Sequence, residues 1–134
     1  MASDLTDIDY AALAEFRFAL RRFQMFSETK AGEAGLTPQQ HQVLLAIRAA
    51  APDEATVGYV AQRLIVKPHT ASELLDRLEA IDLVRREPAP SDRRRALLRL
   101  TSQATGILSD LSSAHREEIR RLQPLLVEHL TRLT

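Results

Sequence analysis

The chain of 134 residues contains no cysteine, no tryptophan and only four glycines. The lack of cysteine excludes disulfides, thiolate metal sites and cysteine-based redox sensing. A Gly-rich phosphate-binding loop, a nucleophile motif and a paired carboxylate cluster are missing as well. The sequence therefore gives no support to an enzyme, and no cofactor is expected.

Long apolar segments are also missing from the sequence. No apolar run approaches the roughly 20 residues that a membrane span requires. The first residues, Met1 to Asp9, include several aspartates and no basic residue, which is unlike the start of a secretory signal. We therefore expect a cytoplasmic protein with no membrane partner.

The residues that are abundant are typical of a helical domain. Hydrophobic residues make up 45% of the chain and aromatic residues only 4%, so most of the apolar content is aliphatic. Leu and Ala, which are frequent, propagate helices at little entropic cost. A chain of this length is expected to form one domain with a substantial core.

Charge is distributed unevenly along the chain, although the formal net charge is zero. Residues 63–101 carry nine Lys and Arg against six Asp and Glu, whereas residues 1–62 have an acidic excess. Local positive charge matters more for phosphate binding than the total does. A nucleic-acid contact is therefore expected in the central segment.

The first predicted helix runs from about Ile8 to about Lys30 and ends at the break formed by residues 32–35. It has two apolar stripes at helical spacing. These stripes are Leu13, Phe16, Leu20 and Phe23, and Ala14, Phe18 and Met25. Two stripes indicate more than one buried face, as in a helix that packs on its own domain and on a partner.

The second helix has the strongest start signal in the chain. Thr37 is the expected N-cap, Pro38 takes the first helical position, and Gln40 completes a capping box. The helix continues to about Ala50, and Pro52 stops it.

Two shorter helices follow, predicted at residues 56–64 and 68–81 and joined by a tight turn. In the second of them, the fourth helix of the chain, Ala71, Leu74, Leu75 and Leu78 form the buried face. The opposite face is polar and consists of His69, Thr70, Ser72, Glu73, Asp76 and Arg77. This pattern predicts a helix-turn-helix.

A β-hairpin is predicted directly after these helices. Residues 83–87 and 93–100 read as short strands around a Pro/Ser/Asp turn. The second strand alternates loosely, with Ala96, Leu98 and Leu100 on one side and Arg95 and Arg99 on the other. Thr101 is expected to cap a last helical region, which Pro124 should break or kink.

A helix-turn-helix followed at once by a hairpin is a winged helix-turn-helix, and here the sequence resembles the MarR-type regulators of multiple antibiotic resistance. The matching segments are Leu36-Thr37-Pro38-Gln39-Gln40, Thr56-Val57 to Val60-Ala61, Asp76-Arg77-Leu78-Glu79, Asp92-Arg93-Arg94 and Leu98-Arg99-Leu100-Thr101. The resemblance implies a mostly α-helical fold with a small β-wing. It also implies a DNA-binding part at residues 36–101 and dimerisation helices at 1–35 and 102–134.

The resemblance further implies a homodimeric regulator that binds a pseudo-palindromic operator in double-stranded DNA. We expect this regulator to be a repressor. The fourth helix would enter the major groove and the wing the flanking minor groove, where an arginine is favoured by the enhanced negative potential. In this family an Asp-x-Arg pair orients that arginine, which corresponds here to Asp92 and Arg94. Arg93 and Arg95 would contact phosphates, which position the protein without reading sequence.

On the fourth helix, the candidates for DNA contact are Lys67, His69, Thr70, Ser72, Glu73 and Arg77. Glu73 departs from the family pattern, in which this position is often basic or small; it could accept from a cytosine amine or clamp an arginine. Asp76 is expected to pair with Arg77 or with a wing arginine, because phosphates repel a carboxylate. Asp82 stands where relatives have Gly, and Asp tolerates the left-handed conformation.

Relatives often bind small aromatic or anionic effectors where the terminal helices meet the winged domain. The corresponding residues here are Phe18, Met25 and His41, although a histidine on an apolar face is more often a satisfied core residue. The four histidines lack ligand spacing, so no metal site is expected. The alternatives are a monomer with a helical cap, and a winged helix that has kept its fold for protein contacts and lost operator binding.

Overall fold

The computed structural model of the chain describes residues 4–133. The elements in this range are α1 (Asp7–Glu33), α2 (Pro38–Ala49), α3 (Val57–Leu64), α4 (Pro68–Ala80), β1 (Val84–Pro88), β2 (Ala96–Leu100) and α5 (Ser102–Arg132). The mostly helical fold with a small β-wing is thus confirmed. The chain divides into two compact units, one of residues 31–111 and one of the segments up to Lys30 and from Ser112 onwards.

Side-chain caps start α2 and α3 where the sequence predicts them. Thr37 Oγ1 accepts a hydrogen bond from the Gln40 backbone N at 3.1 Å, and Gln40 Oε1 accepts from the Thr37 N at 3.0 Å. Thr56 Oγ1 accepts from the Tyr59 N at 3.2 Å. These caps satisfy amides that a helix start leaves without a backbone partner, so they fix where both helices begin.

The ends of α3 and α4 each contain a residue with a positive φ. Ile65 caps α3 with φ 56° and ψ 51°, and Pro68 then opens α4. Asp82 follows α4 with φ 59°. The expectation that aspartate can replace glycine in this turn is confirmed.

The core of the 31–111 unit is one continuous apolar cluster. It combines side chains of α2, α3 and α4 with the base of the hairpin and the start of α5. Its largest fully buried members include Val43, Leu44, Val60, Leu75, Leu78, Val84 and Leu98. The hairpin is therefore anchored at its base to the helix-turn-helix.

The two strands pair in antiparallel register, with Val84 opposite Leu100 and Arg86 opposite Leu98. The Leu98 N also donates to the Ala55 carbonyl O at 2.8 Å. The simple alternation predicted for β2 is wrong in one respect, because Leu97, on the side of the arginines, is as fully buried as Leu98. Both faces of β2 are thus covered at this point of the hairpin.

Thr101 connects the end of the hairpin with the start of α5. Its Oγ1 donates to the Asp82 carbonyl O at 2.8 Å and accepts from the Ala104 N at 3.2 Å. Its backbone N donates to the Leu83 carbonyl O at 3.1 Å. The predicted cap is confirmed, and Thr101 also holds the turn after α4.

The other unit is made of two helical segments, residues 7–30 of α1 and residues 112–132 of α5. His115 is buried there; its Nε2 lies 2.8 Å from Ser27 Oγ, and its ring meets Phe23 and Phe26 edge-on. α1 starts at a cap that was not predicted, in which Asp9 Oδ2 accepts from the Thr6 N at 3.0 Å.

The two apolar stripes predicted on α1 differ in their burial within a single chain. Phe16 and Phe23 are partly buried, but Leu13 and Leu20 of the same stripe are exposed, as is the second stripe with Phe18. Small alanines such as Ala12, which the periodicity of large residues misses, occupy the covered side instead. Much of the apolar surface of α1 is therefore open to solvent in one chain.

Of the two effects expected of Pro124, a break or a kink, the break is wrong, because α5 continues from Ser102 to Arg132. A proline costs a helix one backbone hydrogen bond and crowds the preceding turn, which a helix of eight turns survives. Over residues 4–133, no helix combines the length and apolar character needed to cross a membrane.

Candidate nucleic-acid interface

α4 presents a charged face to solvent within the 31–111 unit. His69, Glu73, Asp76 and Arg77 are exposed, whereas Ala71, Leu74, Leu75 and Leu78 on the opposite face are buried. Because an α-helix turns by about 100° per residue, His69, Glu73 and Asp76 fall close to the centre of the exposed face. A groove of DNA would meet these side chains first.

Thr70 and Ser72 lie at the two borders of this face. Both are partly buried, as expected from their angular offset from Glu73 on opposite sides. Lys67 is the exposed N-cap of α4 and makes no side-chain capping bond. Its ammonium group can therefore reach beyond the helix start.

His69 and Glu73 contact each other on the surface of α4. The distance from His69 Nε2 to Glu73 Oε1 is 3.0 Å, and both side chains are well exposed. The sequence left open whether Glu73 accepts from a cytosine amine or clamps an arginine. In this structure its partner is a histidine and not an arginine. An exposed pair of this kind contributes little to stability, so either residue can exchange its partner.

The wing tip carries an ordered aspartate–arginine pair. Asp92 Oδ1 accepts hydrogen bonds from the Arg94 backbone N at 3.0 Å and from Arg94 Nε at 3.2 Å. The backbone amide of Arg94, then its guanidinium and the charge of Arg95, lower the pKa of the Asp92 carboxyl below its ordinary value. The Arg94 side chain is nevertheless 92% exposed, so it is oriented and accessible at once.

The two other wing arginines are placed differently from each other. Arg93 is exposed at the turn. Arg95 is exposed as well, but its Nη2 donates to the Asp53 carbonyl O at 3.3 Å, and its own carbonyl accepts from the Ala89 N at 2.9 Å. Arg95 thus closes the wing loop and links it to the turn before α3.

Arg86 of β1 forms ion pairs with α4 that the sequence did not predict. Its Nη1 donates to Asp76 Oδ1 at 2.9 Å and also to Glu79 Oε1. The sequence left open whether Asp76 pairs with Arg77 or with a wing arginine, and the partner is the hairpin arginine. The basic residue on a predicted strand was visible in the sequence, but its contact across ten positions was not.

The residues predicted to line an effector site lie in different units. Phe18 and Met25 belong to α1 and are exposed, Met25 by 68%, whereas His41 of α2 is buried. The effector site stays a prediction.

The described part of the chain contains no group of three or more His, Asp or Glu side chains that could hold a metal ion.

Comparison with known proteins adds to this geometry. The sequence model of the MarR family matches residues 34–95, which include the helix-turn-helix, β1 and the wing tip. This part of the chain thus matches the MarR family. Comparison with curated protein sequences gave no match.

Several solved structures resemble three quarters or more of the chain. AbsC of Streptomyces coelicolor, a MarR family transcriptional regulator, is 25% identical with a TM-score of 0.75 over 98% of this chain and 90% of its own. Staphylococcus aureus MepR in complex with DNA is 25% identical with a TM-score of 0.70 over 92% and 86%. CouR of Rhodococcus jostii RHA1, bound to p-coumaroyl-CoA, is 23% identical with a TM-score of 0.66 over 75% and 69%.

The winged-helix fold of the chain agrees with these structures. Members of the family are transcription regulators and not enzymes. The chain is accordingly a transcriptional regulator.

Proposed function

We propose that this MarR family regulator is a homodimeric repressor that binds a pseudo-palindromic operator in double-stranded DNA. The observation that carries the proposal is the placement of two accessible features in one compact unit, the exposed face of α4 and the arginine at the wing tip. A helix of this width fits the major groove, and a single extended arginine fits the minor groove. MepR, a relative of the same fold, has been solved with DNA.

In this proposal the side chains divide into three tasks. His69, Thr70, Ser72, Glu73 and Arg77 of α4 face base edges and the adjoining backbone, and Lys67 at the helix start contacts a phosphate. Arg94, held by Asp92, enters the minor groove. Arg93 and Arg95 contact phosphates on either side of it, because phosphate contacts set the register of a protein on DNA.

Dimerisation is assigned to residues 1–35 and 102–134, and DNA binding to residues 36–101. The support is the apolar surface left open by one chain on its terminal helices. It includes Leu13, Phe18, Leu20, Met25, Ile119, Leu125, Val127 and Leu130. Many exposed large apolar side chains on two helices are typical of an interaction surface, and a two-fold dimer presents two wings to two half-sites.

Release of DNA by a small aromatic or anionic effector is the further part of the proposal. Phe18, Met25 and His41 are the residues assigned to it, and the structure of CouR with p-coumaroyl-CoA supports effector binding among relatives of this fold. An effector acts by binding one spacing of the two recognition helices better than the other.

A second candidate function is a winged-helix module for protein contacts that no longer binds an operator. The acidic character of α4 favours it, since Glu73, Asp76 and Glu79 outnumber Arg77 on this helix. Carboxylates on a DNA-facing helix weaken its attraction to phosphates.

A salt series separates the two functions. The wild-type protein is used to enrich duplexes from a random-sequence pool, and the affinity for the enriched duplex is measured at several salt concentrations. Operator binding predicts that one sequence is enriched and that log affinity falls steeply and linearly with log salt concentration, by a slope of about −0.9 per phosphate neutralised. Absence of enrichment at every salt concentration would overturn the proposal and favour the protein-contact module.

A further inference from the structure

Arg86 joins the hairpin to α4 through two carboxylates. Asp76 and Glu79, which accept from its Nη1, lie three positions apart and therefore on the same side of α4. The Arg86 side chain is only 27% exposed, in contrast to that of Arg94 at the tip of the same hairpin. Arg86 is thus turned towards α4 and not towards solvent.

The Arg86 contact lies one step beyond the apolar residue Val84 along the same face of β1. Val84 is part of the hydrophobic core, and Arg86 follows it on the same face of β1, because alternate residues of a strand share a face. Leu98, the partner of Arg86 in the ladder, is also in the core. Arg86 therefore adds a charged attachment of β1 to α4 at the level of Leu98.

Arg86 also changes the charge that α4 offers to DNA. Asp76 is exposed on the face of α4 assigned to the major groove, and Glu79 lies beside it. Each carboxylate would repel phosphates. A guanidinium shared between them compensates this charge without itself extending into solvent.

The contribution of this contact to unfolding stability is expected to be small. Asp76 is well exposed, and ion pairs with an exposed partner add little to the free energy of unfolding. DNA binding depends more strongly on the relative position of the two surfaces than unfolding stability does, because a displacement of about 1 Å in a pre-organised site already weakens binding. The contact is therefore suited to hold two surfaces in register.

We propose that Arg86 is a positioning residue that holds the wing and α4 at the separation needed to engage two adjacent grooves at once. Arg86 makes no contact with DNA in this proposal; it acts through the placement of Arg94. The inference rests on the proposed operator binding and deepens it.

A double-mutant cycle on DNA affinity tests the coupling between Arg86 and Arg94. The proteins are the wild type, Arg86→Gln, Arg94→Ala and the combination, and the probe is the duplex enriched by the wild type. Arg85→Gln is the matched control, since Arg85 neighbours Arg86, loses the same charge and contacts Asp82 at 3.6 Å instead of α4. Arg86→Lys tests whether charge alone is sufficient.

We expect Arg86→Gln to weaken binding about tenfold and Arg85→Gln about twofold or less. Arg94→Ala should cost about tenfold in the wild type but only about twofold in the Arg86→Gln background, because a wing that is no longer held gains less from its arginine. Equal costs of Arg94→Ala in both backgrounds, or full affinity of Arg86→Lys, would overturn the positioning role. If Arg86→Gln does not fold, Asp76→Asn with Glu79→Gln removes the same contacts from the side of α4, and the same cycle is measured.

A distance measurement without DNA separates this inference from the proposed function. Since the chain has no cysteine, spin labels can be attached at Ala80→Cys on α4 and Ser91→Cys in the wing loop, both at exposed positions. Labelled protein is diluted with unlabelled protein so that a dimer carries one labelled chain. The distance distribution should broaden in Arg86→Gln and not in Arg85→Gln.

The outcomes are distinguishable. A wild type that enriches no duplex, with a distance distribution that still broadens in Arg86→Gln, would overturn operator binding and leave Arg86 as the residue that holds the wing to α4. Enrichment by the wild type, with distributions of equal width in the two variants, would overturn the inference alone.

Discussion

Asp92 holds Arg94 by two contacts at the wing tip, one to the backbone N at 3.0 Å and one to the Nε at 3.2 Å. The backbone contact shapes the turn, and the side-chain contact directs the guanidinium. An exposed arginine otherwise loses considerable side-chain entropy on binding. The pair therefore reduces the entropic cost of placing Arg94 in a groove.

Arg94→Ala should weaken DNA binding about tenfold with little change in sequence preference, because the minor groove displays base identity poorly. Asp92→Asn should weaken it less, since the guanidinium remains but is no longer held by a charge. Both are measured by gel-shift titration with the enriched duplex and with a scrambled one. Full affinity of the Arg94→Ala protein would refute the wing assignment.

Changes on α4 should act on preference more than on overall affinity. His69→Ala and Ser72→Ala are each expected to change discrimination at one base pair of a half-site by about 1–3 kcal/mol. Repeating the enrichment with each variant reports the altered position. An unchanged enriched sequence for both variants would argue against α4 as the reading helix.

The Asp92 carboxyl should titrate below its ordinary pKa of 3.8, chiefly because of its bond from the Arg94 backbone amide. A pKa that is lowered in the folded state stabilises the fold above the unfolded value, and this contribution is lost as the pH falls through the lowered pKa. The wing tip should therefore keep its geometry at mildly acidic pH. A carbon-detected NMR titration measures the pKa, and Arg94→Ala should return it only part of the way, because the backbone bond remains.

The terminal helices should form a dimer at micromolar concentration, seen by light scattering as twice the chain mass of 15.0 kDa. Leu20→Asp combined with Ile119→Asp places charges on the exposed apolar surface of α1 and α5 and should shift the mass towards the monomer. Ile65→Asn, which changes an exposed apolar residue of the other unit, should leave the dimer intact. A monomeric wild type would contradict the dimerisation assignment.

Ile65→Asn should stabilise the protein. Ile65 has φ 56° and is 91% exposed, so the isoleucine pays the steric cost of the left-handed conformation without gaining burial. Asparagine tolerates this conformation better, and the expected gain is about 1 kcal/mol. Thermal unfolding at equal protein concentration checks it; a lower midpoint would contradict the prediction.

Much of the helix-turn-helix was predictable because its signals are local. The caps at Thr37, Thr56 and Thr101 each satisfy an amide three positions later, and such spacing is readable from sequence. The buried faces of α2 and α4 follow from apolar side chains at helical period. Turn chemistry likewise predicted the hairpin.

The features that were missed depend on contacts between distant parts of the chain. Arg86 meets Asp76 and Glu79 only once β1 packs beside α4, and nothing in their spacing predicts it. Leu97 is buried although it lies on the arginine side of β2. Both faces of β2 are covered at this point, which the alternation of residues in the sequence does not reveal. Pro124 does not interrupt α5, because the long helix around it outweighs the local preference of proline.

The hydroxyl of Thr101 connects the turn after α4 with the start of α5. It forms hydrogen bonds both with the Asp82 carbonyl in the turn after α4 and with an amide in the first turn of α5. The start of α5 and the turn after α4 are therefore tied to each other by one side chain within the 31–111 unit.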